Sequence, residues 1–369
     1  MSRTLFFYVA RLYALLALGI LAALTVVFLV VDFGDKLKIF TDRPALDVAR
    51  LYALKALVAF HQLAPAALLL AGGTTVSILR RRSEWIAMQA VGASRWVMVL
   101  PIGLCALLFA VGLIAFDEKV VTWAGTRVDR MMVDSFNRFG DFRFYYVPKQ
   151  WFRVGQDVFQ VRGQTDERGA LHDVSVFSMS PSFHLDSRID IERMEHVEGS
   201  TWALHHAVTR RFLGDGASEL IVEPPMLRSF AGTSADTFRI RQGRPEQMPV
   251  RDILEQQQIR ANVGLPTERF WLALHNRFAY PLTGMAASLL AVTLALRPNR
   301  RGHLTLAIVE GLVVSVVLFA LLLTGKALVL GEHVPASVAA WSPVLALVLG
   351  SAVLWLAAEG RLTVRRSPR

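Results

Sequence analysis

The stretch Arg80-Arg81-Arg82-Ser83-Glu84-Trp85-Ile86-Ala87-Met88-Gln89-Ala90-Val91-Gly92-Ala93-Ser94-Arg95-Trp96 decides how the chain is read. It lies between two apolar runs, residues 51–79 and 97–116, each long enough to cross a bilayer, which takes about 20 apolar residues. Four arginines on so short a connection place it in the cytoplasm, because cationic loops are retained on that side. The connection also reads as a helix, with Ser83 as N-cap, Glu84 in the first turn and Gly92 at the stop. Trp85, Met88, Ala90 and Val91 supply apolar surface, Glu84 and Gln89 polar groups. Such a helix either lies on the headgroups as an anchor or docks into a soluble partner, and pattern alone favours the anchor.

Composition agrees with a membrane protein. Of 369 residues 53% are hydrophobic and 19% charged, with a mean hydropathy of +0.41. The net charge of +10 is unevenly spread: residues 117–270 sum to −2 and the rest to +12. The basic excess therefore belongs to the short connections between spans and reads as topology, not as a nucleic-acid stripe. The single cysteine, Cys105, lies inside an apolar run and reads as a packing residue.

Outward from the central stretch, six spans follow. Residues 12–31 hold no charge and exceed the apolar core of a signal peptide, so they read as a retained first span with the N-terminus inside. The second span carries Lys55, His61 and Pro65, and its Gly72-Gly73-Thr74-Thr75 leaves room for a close helix neighbour. The fourth begins near Trp271, the fifth covers 304–330 and the sixth 336–356. The stretches assigned to the cytoplasm (1–11, 80–96, 297–303, 359–369) hold 13 Lys and Arg against Glu84 and Glu359. The division is 1–116 for three spans with helix 83–92, 117–270 for an extracytoplasmic domain with flanking helices, and 271–369 for three more spans.

Helical spacing continues past the third span through Val120, Trp123, Val128, Met131 and Phe136, then the period changes. Short strand-like runs cover 142–147, 151–154, 158–162, 171–179, 188–194, 201–212, 219–222 and 237–240, separated by Gly, Asp and Pro turns. Many strands without helices between them imply an antiparallel sandwich or jelly-roll-like all-β domain. Residues 250–259 then read as helix.

Catalytic patterns do not match. Gly325-Lys326 lacks the first glycine and the Ser/Thr of a phosphate loop, and His205-His206 with Glu195 and Glu198 lacks zinc spacing. The alternation of Trp202, Leu204 and His206 against Ala203 and His205 fits a strand instead. Glu310 and Lys326 lie in one span about 24 Å apart along the helix and cannot pair; Lys326 reads as snorkelling outward. Asp32 and Lys36 form an i,i+4 pair if the first helix continues, and Lys36 with Lys38 otherwise offers cations at headgroup height.

Three sets of residues carry a family resemblance: Arg82-Ser83-Glu84, Met88-Gln89-Ala90 and Gly92-Ala93-Ser94-Arg95; the 250–296 region with Pro266 and His275 to Pro281; and Val334-Pro335 with Trp341-Ser342-Pro343. With the three-plus-three layout, they resemble the lipopolysaccharide export permeases, the LptF/LptG (YjgP/YjgQ) family. Asp32-Phe33-Gly34-Asp35-Lys36-Leu37-Lys38 and the short turn with Pro335 are closer to the LptG branch.

The resemblance implies a non-catalytic transmembrane subunit of an ABC transporter in the bacterial inner membrane, with both termini cytoplasmic and the β domain periplasmic. It extracts lipopolysaccharide from the outer leaflet beside an LptF-like sister permease. A cytoplasmic LptB-like ATPase dimer holds the ATP and Mg, so this chain binds no cofactor, and an LptC/LptA-like periplasmic bridge receives the lipid. By the same resemblance Arg82, Glu84, Trp85 and Met88 couple to the ATPase, which reverses the anchor reading. Lys36, Lys38 and Arg43 meet lipid phosphates, although Asp32 stands where some members carry a base. Phe33, Leu37 and Lys326 belong to a lateral gate between spans one and five. The competing class is a membrane-anchored sensor or scaffold without transport.

Overall fold

The computed structural model describes residues 3–41, 43–136, 149–165, 170–180, 184–212, 218–240, 243–297 and 304–358. They fall into two compact units, one drawn from Met1–Arg138, Pro245–Ile253 and Glu268–Arg369, the other from Phe139–Arg244 and Leu254–Thr267.

The first unit is helical. Its elements are α1 (Arg3–Asp35), α2 (Leu37–Phe40), α3 (Ala45–Arg81), α4 (Glu84–Ala90), α5 (Trp96–Phe116) and α6 (Thr122–Asp134). After a single 3-10 turn, Pro245–Gln247, and the start of α7 (Val250–Asn262) come α8 (Glu268–Ala295), α9 (Leu304–Leu330) and α10 (Ala336–Ala358). Among the described residues, six helices are long and apolar enough to span a membrane, with α5 and α6 forming one continuous rod, Trp96–Asp134. The rod is not uniform: Asp117–Val121 is a π-helical turn, a widening that the sequence did not announce.

Small residues set the packing of α3 on α8. A Cβ on Gly72 would lie 2.7 Å from the Ser288 carbonyl oxygen, and one on Gly284 3.0 Å from the Pro65 Cα. The backbones meet because neither position has a side chain. Tyr13 of α1 is fully buried, and the Ser288 hydroxyl of α8 donates to its oxygen at 3.1 Å. Arg80 does more than mark topology: its guanidinium donates to the Ala295 carbonyl at 2.7 Å and the Arg297 carbonyl at 3.2 Å, neutralising the C-terminal end of α8.

The second unit is an antiparallel sheet of β1 (Lys149–Val154), β2 (Asp157–Thr165), β3 (Leu171–Met179), β4 (Leu185–Glu198), β5 (Thr201–Phe212), β6 (Ser218–Glu223) and β7 (Met226–Ser229). Neighbours in sequence are neighbours in space from β1 to β6, and β7 takes the rest of the β5 edge beside β6. The inserted β domain between helical halves is thus present, connected as a meander. Residues 237–240, read as a strand from sequence, form a turn in which the Thr237 hydroxyl accepts the Ser234 N–H at 2.9 Å. Phe238 and Ile240 are apolar because they are buried, not because they alternate. The strand missed was β7, directly after Pro224-Pro225. The run 142–147 lies outside the described residues.

The core face of the sheet changes parity along one line. Val174 and Val176, Ile189 and Ile191, and Ala207 and Thr209 point inward on one side of it. Leu171, Met194, Trp202 and Leu204 point inward on the other, an odd number of residues away from the first set on each strand. The switch falls on Asp173, Glu192 and His206, which oppose one another across β3, β4 and β5; Asp173 and His206 have φ of 50° and 54°. His206 therefore leaves the inward row that the sequence alternation gave it and is exposed beside Glu192.

Candidate functional site

The helix α4 is placed and stopped as expected but started and faced differently. Its stop is a Schellman turn: Ala93 N–H donates to the Met88 carbonyl and Gly92 N–H to that of Gln89, with Gly92 at φ 82°. Its start is not a side-chain cap. Ser83 is left-handed at φ 59° and makes no capping bond. Trp85 and Met88, expected on the docking face, are buried in the protein's own core with Val9, Tyr13, Leu79, Val97 and Met98. The outward surface carries Ile86, Ala87, Ala90 and Val91, with Arg81 and Arg82 beside it. Val91 is 87% exposed. A helix of seven residues, five of them apolar, buries one side, and Trp85 and Met88 took it. Glu84 is held by two neighbours: the Tyr8 hydroxyl of α1 donates to it at 2.7 Å, and the Arg82 guanidinium lies 3.8 Å away.

At the opposite end of α1, Lys36 pairs with Asp32, as the i,i+4 spacing allowed. Asp32 also receives Lys55 at 2.6 Å and the Tyr52 hydroxyl at 2.9 Å, both from α3. Two lysines against one carboxylate leave this cluster positive. Lys38 is exposed and Arg43 half-buried, and neither pairs with an acid among the described residues. Phe33 stacks on Phe40 at 5.8 Å and meets Tyr52 edge-on, while Leu37 is exposed.

Lys326 on α9 does not simply snorkel: it binds Glu246 of the 3-10 turn at 3.1 Å, with Arg269 3.7 Å from the same carboxylate. Burial works to raise the Glu246 carboxyl, but its backbone hydrogen bond, Lys326 and Arg269 outweigh that and hold it below the ordinary range. Lys326 is thus tied to the 3-10 turn. The helices α1 and α9 pack separately, α1 on α3 and α5, α9 on α3, α8 and α10. They are the two least buried spans, with Val30, Val31, Val316 and Phe319 all exposed.

A family model described as lipopolysaccharide export system permease LptF/LptG matches residues 7–357. The chain belongs to the LptF/LptG family. No curated protein matches it. The family match spans both units, and with it the six apolar helices make this a multi-pass membrane permease component.

Sequence reasoning on this LptF/LptG chain missed a buried ionic hub. Arg277 of α8, with a side chain only 4% exposed, bonds Glu118 at 2.6 Å, lies 3.6 Å from Asp117, and donates to the Met248 and Glu246 carbonyls. Glu118 also accepts the Val250 N–H at 2.9 Å, at the start of α7. The signal available was Arg277 inside an apolar helix, since an ionisable group there needs a partner. The partner stands 159 positions earlier in the chain, beyond the reach of any local pattern.

Proposed function

We propose that this chain is one permease half of an ATP-driven lipopolysaccharide exporter of the bacterial inner membrane. The observation that carries the coupling is the face of α4. Its large side chains fasten it to the core, while Ile86, Ala87, Ala90 and Val91 stay outside as an apolar strip flanked by arginines. A soluble ATPase groove would cover that strip, and motion of the engine would pass through Tyr8 and Glu84 to α1. Extracting a multi-acyl lipid exposes apolar surface at about 25 cal/mol per Å², which requires an external energy source. In this reading ATP and Mg sit in the partner.

The exposed flanks of α1 and α9, which do not close on each other within one chain, would meet a sister permease to form the gate. Phe33 and Leu37 would lie on that surface, and the positive cluster of Lys36 and Lys55, with Lys38 and Arg43, would face lipid phosphates. The β domain would pass the lipid to a periplasmic bridge, with both termini cytoplasmic. Membership of the LptG branch rests on the 32–38 segment and Pro335.

The test is Val91→Glu. The residue is almost fully exposed, so folding should be unaffected. Co-purification of the ATPase should be lost and lipopolysaccharide-stimulated ATP hydrolysis should fall to background. If both survive, α4 lies on the headgroups and the docking reading is wrong; if the ATPase stays but lipid never stimulates it, the scaffold reading replaces transport.

A further inference from the structure

We infer that His61 and Asp117 together bind one proton where α3, the π-turn and α8 meet. Four charged or titratable side chains face this point among the described residues: His61 from α3, Asp117 and Glu118 from the π-turn, and Arg277 from α8. Tyr280 of α8 places its ring 5.6 Å from the imidazole but donates its hydroxyl to the Gln62 carbonyl. Glu246 contributes only its backbone carbonyl here, because its carboxylate is taken by Lys326 and Arg269. Lys119, next along the turn, is exposed.

The charge count is unbalanced. One guanidinium stands against two carboxylates: Arg277 bonds Glu118 at 2.6 Å, and its Nη2 donates to the Met248 and Glu246 carbonyls. Asp117 is left as a buried carboxylate beside the half-buried Glu118, 3.6 Å from the Arg277 Nε and beyond hydrogen-bonding distance. Facing it at 3.9 Å is the His61 Nε2, buried and without a hydrogen bond. Asp117 and Glu118 stand next to each other in the π-turn, and both lie within 4 Å of the Arg277 guanidinium.

An uncompensated negative charge in a span is costly. One added proton makes the set neutral and turns an empty 3.9 Å gap into an N–H···O or O–H···N bond after a small side-chain shift. Glu118 already accepts from Arg277 and the Val250 N–H, which leaves His61 and Asp117 as the facing pair without a bond between them. The proton decides whether Arg277 is drawn by one carboxylate or two. Arg277 in turn grips the 246–248 backbone that precedes α7.

The site is tested on the full-length protein in nanodiscs. The proton is read as imidazolium in ¹⁵N-histidine spectra, with His61 assigned through H61Q, or as a protonated-carboxyl infrared band that Asp117→Asn deletes. One of the two signals is expected at about pH 7 and should disappear as pH rises. The absence of both at about pH 7 overturns the assignment. In H61Q the carboxyl band should be present, because Asp117 must then carry the proton alone.

Thermal unfolding supplies a second measurement. At about pH 8.5 the unfolded chain carries no proton on either group, so the stability gained from the site is present at low pH and lost as pH rises. The wild-type midpoint should fall from about pH 6 to about pH 8.5 by several degrees more than that of D117N. Equal pH dependence in the two proteins overturns the proposal.

Discussion

At the scale of single residues, Gly92 and Glu246 carry the clearest consequences. Gly92 sits at φ 82° with nothing within 4 Å of where a Cβ would stand. Gly92→Ala therefore meets no clash, only the cost of a left-handed backbone, about 1 kcal/mol. It should lower the thermal midpoint slightly, and Gly92→Asn should lower it less, because asparagine tolerates that conformation. Glu246 is different, since its interaction depends on pH. Its carboxyl is depressed in the folded protein, so the Lys326 and Arg269 contacts stabilise above the unfolded carboxylate value of about 4.3 and are lost as pH falls through the lower folded value. The groups are more than a third exposed, which limits the pair to less than about 1 kcal/mol. Lys326→Gln should reduce stability at neutral pH, and the loss should shrink as pH falls below the unfolded carboxylate value, as followed by thermal unfolding across that range.

At the scale of elements, legibility followed the range of the interaction. The spans were readable because twenty apolar residues in a row is a local fact, and the Gly92 stop of α4 was readable for the same reason. Its facing was not. Trp85, Ile86, Met88 and Val91 are all apolar, and only the surrounding helices decide that the first and third are covered. The π-turn was hidden because Asp117-Glu118-Lys119 reads as the hydrated end of a span. The parity switch at Asp173, Glu192 and His206 was visible in principle as an odd spacing between inward residues. A period-2 reading of one strand at a time passes over it.

The Gly72-Gly73 stretch was legible, and its partner Ser288 was not. Gly72→Ala forces a methyl to within 2.7 Å of a backbone oxygen that cannot rotate away. We expect a loss of about 1–3 kcal/mol as α3 and α8 are pushed apart. Gly73→Ala, whose Cβ would meet its neighbours at an ordinary 3.7 Å, should be near neutral. A larger drop for Gly73→Ala than for Gly72→Ala would mean that the two helices do not pack as described.

At the scale of the whole molecule, the decisive quantity is a parity. Among the described residues, one candidate span lies between Val91 and Leu220, the continuous helix Trp96–Asp134, so we expect these two residues on opposite sides of the membrane. Both are exposed, at 87% and 59%, and the chain has one cysteine, Cys105, within α5. In a Cys105→Ala background, Val91→Cys and Leu220→Cys can each be offered a membrane-impermeant maleimide in sealed vesicles. By the charge of its arginine-rich loop, we expect Val91 on the cytoplasmic side. Right-side-out vesicles should therefore label only Leu220→Cys, and inverted vesicles only Val91→Cys. Labelling of both from one side would remove the third span from the count. It would also put the α4 docking face and the β domain in the same compartment, where an ATPase and a periplasmic acceptor could not each reach its surface.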